Sequence, residues 1–171
     1  MDTWRMTSTI GSFFGFSLIE LIVVVAIISS IMFAGSLYFQ NHLSGTILKT
    51  SAQDIASTLL WARRLAISER KSYKVVFHPE KGKYWVEDMR GQRVEGIAYL
   101  NRKVRFADPE LGKWGEEDGI IEGGVWDNSF FFYPQGTAEG GSIYLRDGKN
   151  NWYTITITPT TGGVRVYPEK H

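Results

Sequence analysis

Few residues of this chain have the types and spacing that catalysis needs. The three histidines, His42, His78 and His171, lie far apart, and none has a second ligand at a spacing that would hold a metal. The serines have no histidine and aspartate placed to activate them. There are no cysteines, which removes thiol nucleophiles, disulfides and Cys-based metal sites. Glu116-Glu117-Asp118 is an acidic run beside glycine. Hard cations bind such oxygens, but the spacing of a helical calcium loop is absent, so a solvated loop is expected. Gly140-Gly141 and Gly162-Gly163 do not join a strand to a helix as a phosphate loop does, and they read as turns. Phe130-Phe131-Phe132-Tyr133 reads as a strand buried on both faces rather than a binding platform. The expectation is therefore no catalytic residue, no metal, no cofactor and no small-molecule substrate: this is not an enzyme.

One acid stands where its chemistry matters. From Leu21 to Phe39 there is no charged side chain, and Glu20 sits at the entrance of that run. About 20 apolar residues suffice for a helix to cross a bilayer. A carboxylate in such a segment costs about 2.5–3.5 kcal/mol on insertion scales unless it is partnered, which marks it as a functional residue. Other readings of the run are a signal peptide cut near Ala34-Gly35-Ser36, a plain single-pass anchor, and a buried core helix.

The elements behind these residues follow from pattern. The chain has 171 residues, 43% hydrophobic and 22% charged, with a formal net charge of +1. Beyond the apolar run there is room for one modest domain. The charge balance gives no general argument for a nucleic-acid partner. Eighteen glycines suit a domain with many tight turns.

Leu48, Ala52, Ile55, Leu59, Ala62 and Ala66 recur in steps of four and three, one stripe of an amphipathic helix. Lys49, Gln53, Asp54, Arg63 and Arg64 fall off it. One helix from about Phe16 to about Glu69 is expected, apolar all round in its first half. Alternation predicts strands over Ser72–Phe77, Lys83–Met89, Phe130–Tyr133, Ser142–Arg146, Tyr153–Thr158 and Val164–Tyr167. Shorter strands are expected at Val104–Phe106 and Val125-Trp126, with an exposed loop over Asp108–Gly124. In Tyr153–Thr158 the tyrosine and isoleucines should point inward and the three threonines outward. Helix against antiparallel sheet gives an α+β fold.

Gly15-Phe16-Ser17-Leu18-Ile19-Glu20 followed by the apolar run resembles the processing and assembly signal of type IV pilins and pseudopilins. Phe132-Tyr133-Pro134-Gln135-Gly136-Thr137, Gly140–Leu145 and Ile155–Gly162 resemble the GspH/FimT family of minor pseudopilins and minor pilins. The resemblance implies a type IV pilin-like fold, with a long N-terminal helix packed on antiparallel β-sheets. It implies a leader over 1–15, a transmembrane and filament-core helix over 16–39, and a soluble domain over 40–171. A prepilin peptidase would cut between Gly15 and Phe16 and methylate the new amine. Glu20 would pair with the amine of a neighbouring subunit.

The partners so implied are other pilins or pseudopilins, the peptidase and inner-membrane lipid. The N-terminus would be cytoplasmic and the domain outside the inner membrane. The function implied is assembly of a type II secretion pseudopilus or a type IV pilus. The leader departs from the family's usual basic pattern, since it carries only Arg5 and Asp2. Some FimT-type pilins bind DNA for uptake through a Gly-Arg-any-Arg motif. Here the matching stretch is Gly162-Gly163-Val164-Arg165, with glycine in place of the first arginine. That alternative would rest on Arg165, with Arg102 and Lys103, and nucleic acid is the less expected partner.

Overall fold

The computed structural model describes residues 17–94, 96–109, 118–122 and 128–170, with side chains at all of these except 34–44, 121 and 122. Helix α1 runs over Leu18–Glu69. Among the described residues nine strands follow: β1 (Tyr73–His78), β2 (Lys83–Asp88), β3 (Ala98–Tyr99), β4 (Val104–Phe106), β5 (Ile120–Glu122), β6 (Ser129–Phe132), β7 (Gly141–Asp147), β8 (Trp152–Thr158) and β9 (Gly163–Tyr167). The chain divides into two compact units, Met1–Gln40 and Asn41–His171.

In the second unit the strands form two antiparallel sheets. The first has the order β3-β2-β1-β6; the second has the order β4-β7-β8-β9, with β5 also paired to β7. Register follows the hydrophobic alternation. Val75 lies opposite Val86 and Phe130, and Ile155 lies opposite Ile143 and Val166. A slip of one residue would turn these side chains to the wrong face.

The helix stripe is buried as its period requires: Leu48, Ala52, Ile55, Leu59, Ala62 and Ala66 are all 0% exposed. They share one core with the inner faces of both sheets. Phe77 joins the two sheets. It stacks on Tyr84 at 5.7 Å and meets Phe106 and Phe130 edge-on at 5.9 and 6.0 Å, arrangements that aromatic quadrupoles favour. Phe130, Phe131 and Phe132 are all buried, as a strand covered on both faces requires.

Three expectations need correction or limit, and strand β3 follows no readable alternation. Ile120–Glu122, expected as loop, is strand β5, held to β7 through Ile120 opposite Ile143. Thr154, expected to point outward, is 0% exposed, because the tail covers it: its hydroxyl donates to the Glu169 carbonyl at 2.6 Å. Among the described residues no helix is long and apolar enough to cross a membrane. The described apolar side chains run from Leu18 to Phe33, about 24 Å of helix at 1.5 Å per residue, short of a hydrocarbon core about 30 Å thick. The rest of the expected span, Phe16 and the side chains of 34–39, lies outside the described residues, as does the strand expected at Val125-Trp126.

Candidate functional site

In the first unit, helix α1 begins with a hydrogen bond from the Leu21 amide to the Ser17 carbonyl at 3.2 Å. Glu20 lies in the first turn, where the helix dipole favours a negative charge. From Leu18 onward the large apolar side chains are exposed, from Val24 at 44% to Leu18 at 76%. There is no polar stripe, so no single face is marked for cover; the whole circumference is apolar. Both hydroxyls within Leu18–Phe33 are turned inward: Ser29 donates to the Val25 carbonyl at 2.7 Å and Ser30 to the Ala26 carbonyl at 2.8 Å. Back-bonding of this kind leaves no donor facing outward. The surface is suited to hydrocarbon or to other apolar helices, with Glu20 as its one charge. Gly15 and Phe16 lie outside the described residues.

Two turns of the second unit, at Pro134–Gly136 and at Gly162, close on α1. Arg63 Nε donates to the Gly136 carbonyl at 3.1 Å, bringing the Pro134–Gly136 turn onto the helix. The turn before β9 closes on the same guanidinium. A Cβ on Gly162 would stand 2.5 Å from the Gly136 carbonyl oxygen and 2.8 Å from Arg63 Nε, and Gly162 has a φ of +59°. Both space and backbone therefore demand glycine there. Helical period places Arg63 off the apolar stripe. Nothing in its spacing could reveal two turns meeting it from distant sequence.

The basic residues of the nucleic-acid alternative, Arg165, Arg102 and Lys103, are not gathered on one strand. Arg165 is exposed in the middle of β9. Arg102 and Lys103 are exposed in the turn ahead of β4, where the Lys103 amide donates to Asn101 Oδ1 at 3.0 Å. Strands β4 and β9 are opposite edges of their sheet, three strand spacings apart, or about 14 Å. Of the acidic run, Glu116 and Glu117 lie outside the described residues, and the Asp118 carboxylate accepts the Ile120 amide of its own turn at 2.9 Å. His78 ends β1; the His42 side chain and His171 lie outside the described residues. No group of three His, Asp or Glu that could hold a metal occurs among the described residues.

Two tyrosines facing the core are held neutral. Burial pushes the Tyr84 hydroxyl to about 12, helped by the Asp54 charge and opposed by a hydrogen bond with Thr58. Tyr73 donates to Glu69 Oε2 at 2.5 Å, and this bond, with burial, also raises it to about 12. Each ties a strand to α1. Sequence reading also missed a cluster around Trp152. Lys170 Nζ lies 4.5 Å from the ring centroid and the Arg146 guanidinium 5.3 Å. These residues meet through cross-strand register and the return of the tail, which local spacing does not encode.

Solved structures share this architecture. The minor pseudopilin EpsH from the type 2 secretion system of Vibrio cholerae superposes with a TM-score of 0.53 at 16% identity, covering 71% of this chain and 96% of that one. A second EpsH crystal structure gives 0.53 at 13% identity, covering 74% and 96%. The type IV minor pilin FimU of Pseudomonas aeruginosa gives 0.51 at 15% identity, covering 71% and 88%. No protein-family model matches the sequence, and no curated protein matches it. At these identities the likeness is one of fold: the chain has the α+β, type IV pilin-like fold, a helix packed on antiparallel sheets.

Proposed function

We propose that this chain is a minor pseudopilin or minor pilin, a structural and assembly subunit of a type II secretion pseudopilus or a type IV pilus. It helps start the filament and so supports protein secretion or pilus assembly. The observation that carries this reading is the helical run Leu18–Phe33, apolar on every side, exposed, and bearing Glu20 as its one charge. Apolar area on that scale marks a surface meant for lipid or for other proteins. The fold shared with EpsH and FimU supports the same reading.

The peptidase cuts between Gly15 and Phe16, and the helix holds the product in the inner membrane with its domain outside until it enters the filament. There Glu20 meets the amine of a neighbouring Phe16. A buried acid left without a cation costs several kcal/mol, so the pairing sets register between subunits. The runner-up, DNA binding for uptake, draws support from the exposure of Arg165. It is weakened by the distance between Arg165 and the Arg102–Lys103 pair, because phosphate contacts gain from being gathered.

The test is the mass of the mature protein purified from membranes. The expected N-terminus is N-methylated Phe16, and Gly15→Val leaves the leader attached. A mature N-terminus beyond Ala34 would instead establish a secretory signal peptide.

A further inference from the structure

A pocket of about 290 Å³ opens in the second unit between α1 and the first sheet. The helix supplies one wall, from Thr46 to Asp54. The other wall is Tyr84 of β2 with Tyr99, the last residue of β3, and the Leu100 and Asn101 that follow it. That segment is fixed at both ends. The Leu100 amide donates to the Gly82 carbonyl at 2.7 Å, and Asn101 Oδ1 accepts the Lys103 amide at 3.0 Å.

Two side chains on the helix wall are left without partners. Ser51 is only 6% exposed. A buried hydroxyl on a helix commonly turns back to the carbonyl four residues before it, the bond that Ser29 and Ser30 make. The Ser51 hydroxyl makes no such bond, and no other hydrogen bond, among the described residues. Asp54, one turn further on, is exposed. Among the described residues the ion pairs are Lys71 with Glu69 and Lys74 with Glu87, so none engages its carboxylate. The Thr58 hydroxyl donates to the Asp54 backbone carbonyl, not to its carboxylate.

The lining has one sign of charge. Asp54 is its one carboxylate among the described residues, and no lysine, arginine or histidine lines it. Arg102 and Lys103 follow Asn101 in sequence but stand outside the lining. Hydroxyls accept hydrogen bonds as readily as they donate, so the Ser51 oxygen suits a donor as well as an acceptor. Tyr99 is 70% exposed and brings a ring to the same opening; aromatic faces attract cations. Ile47 and Leu100 add apolar wall. An anion would meet Asp54 with no cation in the lining to offset it. The volume falls just under the range of clefts that take a whole ligand, about 300–1,000 Å³, and suits a single side chain.

We infer that this pocket receives the ammonium end of a lysine side chain from a partner protein. An ammonium carries three donors and no acceptor, which the Asp54 carboxylate and the Ser51 hydroxyl answer. Its methylene stem lies along Ile47 and Leu100, as such stems lie along apolar surface while the charged head stays polar. A neutral polyol could use the hydroxyls but would leave the Asp54 charge unmatched. The pocket lies wholly in the second unit, so the site stands whether or not the chain enters a filament.

The experiment titrates the isotope-labelled full chain, in neutral detergent, with the blocked pentapeptide Gly-Ala-Lys-Ala-Gly and reads backbone amide shifts by NMR. A second peptide, with the lysine amine replaced by a hydroxyl, is titrated in parallel. Expected are saturable shifts at Ser51, Asp54, Leu100 and Asn101 that weaken as salt rises, and binding of the hydroxyl peptide at least tenfold weaker, roughly the worth of a hydrogen bond to a charged group. Asp54→Asn should weaken lysine-peptide binding roughly tenfold and Tyr99→Ala about threefold. Glu169→Gln, which removes an exposed acid on the tail, should leave it unchanged. Both pocket substitutions are at exposed positions, and melting curves check that the variants fold. Absence of saturable shifts at these four amides would overturn the proposal. So would equal binding of the hydroxyl peptide, or a loss in Glu169→Gln equal to that in Asp54→Asn.

Discussion

Asp147 shows how one carboxylate secures a hairpin. It ends β7 on the inward side and is 4% exposed. Its Oδ1 accepts the amides of Lys149 at 2.8 Å and Asn151 at 2.9 Å, and its Oδ2 accepts the Asn151 side-chain amide at 2.8 Å. Burial alone would push its pKa up. The hydrogen bonds from Asn151 and Lys149, with the Lys149 charge, outweigh that and hold it below the ordinary 3.8. A pKa lowered by folding stabilises the native state above the unfolded value and loses that contribution as pH falls through the folded one. The contribution of Asp147 is therefore complete above about pH 4–5 and declines below it. Asp147→Asn should lose about 1–3 kcal/mol at pH 7 and show a shallower further loss between pH 5 and 3. Melting temperature against pH for parent and variant reads this. Parallel curves would mean that another acid controls the acid limb.

At the scale of elements, the helix stripe is the clearest test of the packing. Leu59 is 0% exposed in the middle of it, within the core shared by both sheets. Leu59→Asp removes buried apolar area and inserts an unpaired charge, and should cost about 4 kcal/mol or more. A denaturant midpoint equal to the parent's would show that the stripe does not face the sheets. The stripe was legible because helical period and burial coincide over five turns. Strands β1, β2, β6, β7, β8 and β9 were legible because period-two alternation and the intervening turns coincide. What was not legible depends on covering layers. Alternation puts Thr154 on the outer face, but it cannot foresee that Pro168–Lys170 returns across that face. Strand β3 is too short to show alternation, and β5 lay inside a glycine- and glutamate-rich stretch whose composition reads as loop. The Arg63 latch and the Trp152 cluster each join residues distant in sequence. Of the proposed assembly residues, Glu20 stands out in the sequence because it is a charge at the entrance of an apolar run.

For the whole molecule, the two units divide the chemistry. The second unit buries its apolar side chains between helix and sheets, as a folded domain must. The first exposes its own: the large apolar side chains from Leu18 to Phe33 are 44–76% exposed. Under the proposed function such a surface would be completed by its surroundings: lipid before assembly, neighbouring helices after it. The central claim is that Glu20 serves that second environment. The most direct measurement is incorporation of the full chain, against the Glu20→Gln and Glu20→Leu variants, into sheared filaments or crosslinked minor-subunit complexes. Membrane levels serve as the control. Both variants should reach the membrane in parental amounts, and Leu should insert at least as well, since the insertion penalty of the acid is gone. Both should incorporate poorly, because a neighbour's ammonium would then be buried without an anion. Incorporation of Glu20→Leu at the parental level would contradict the account.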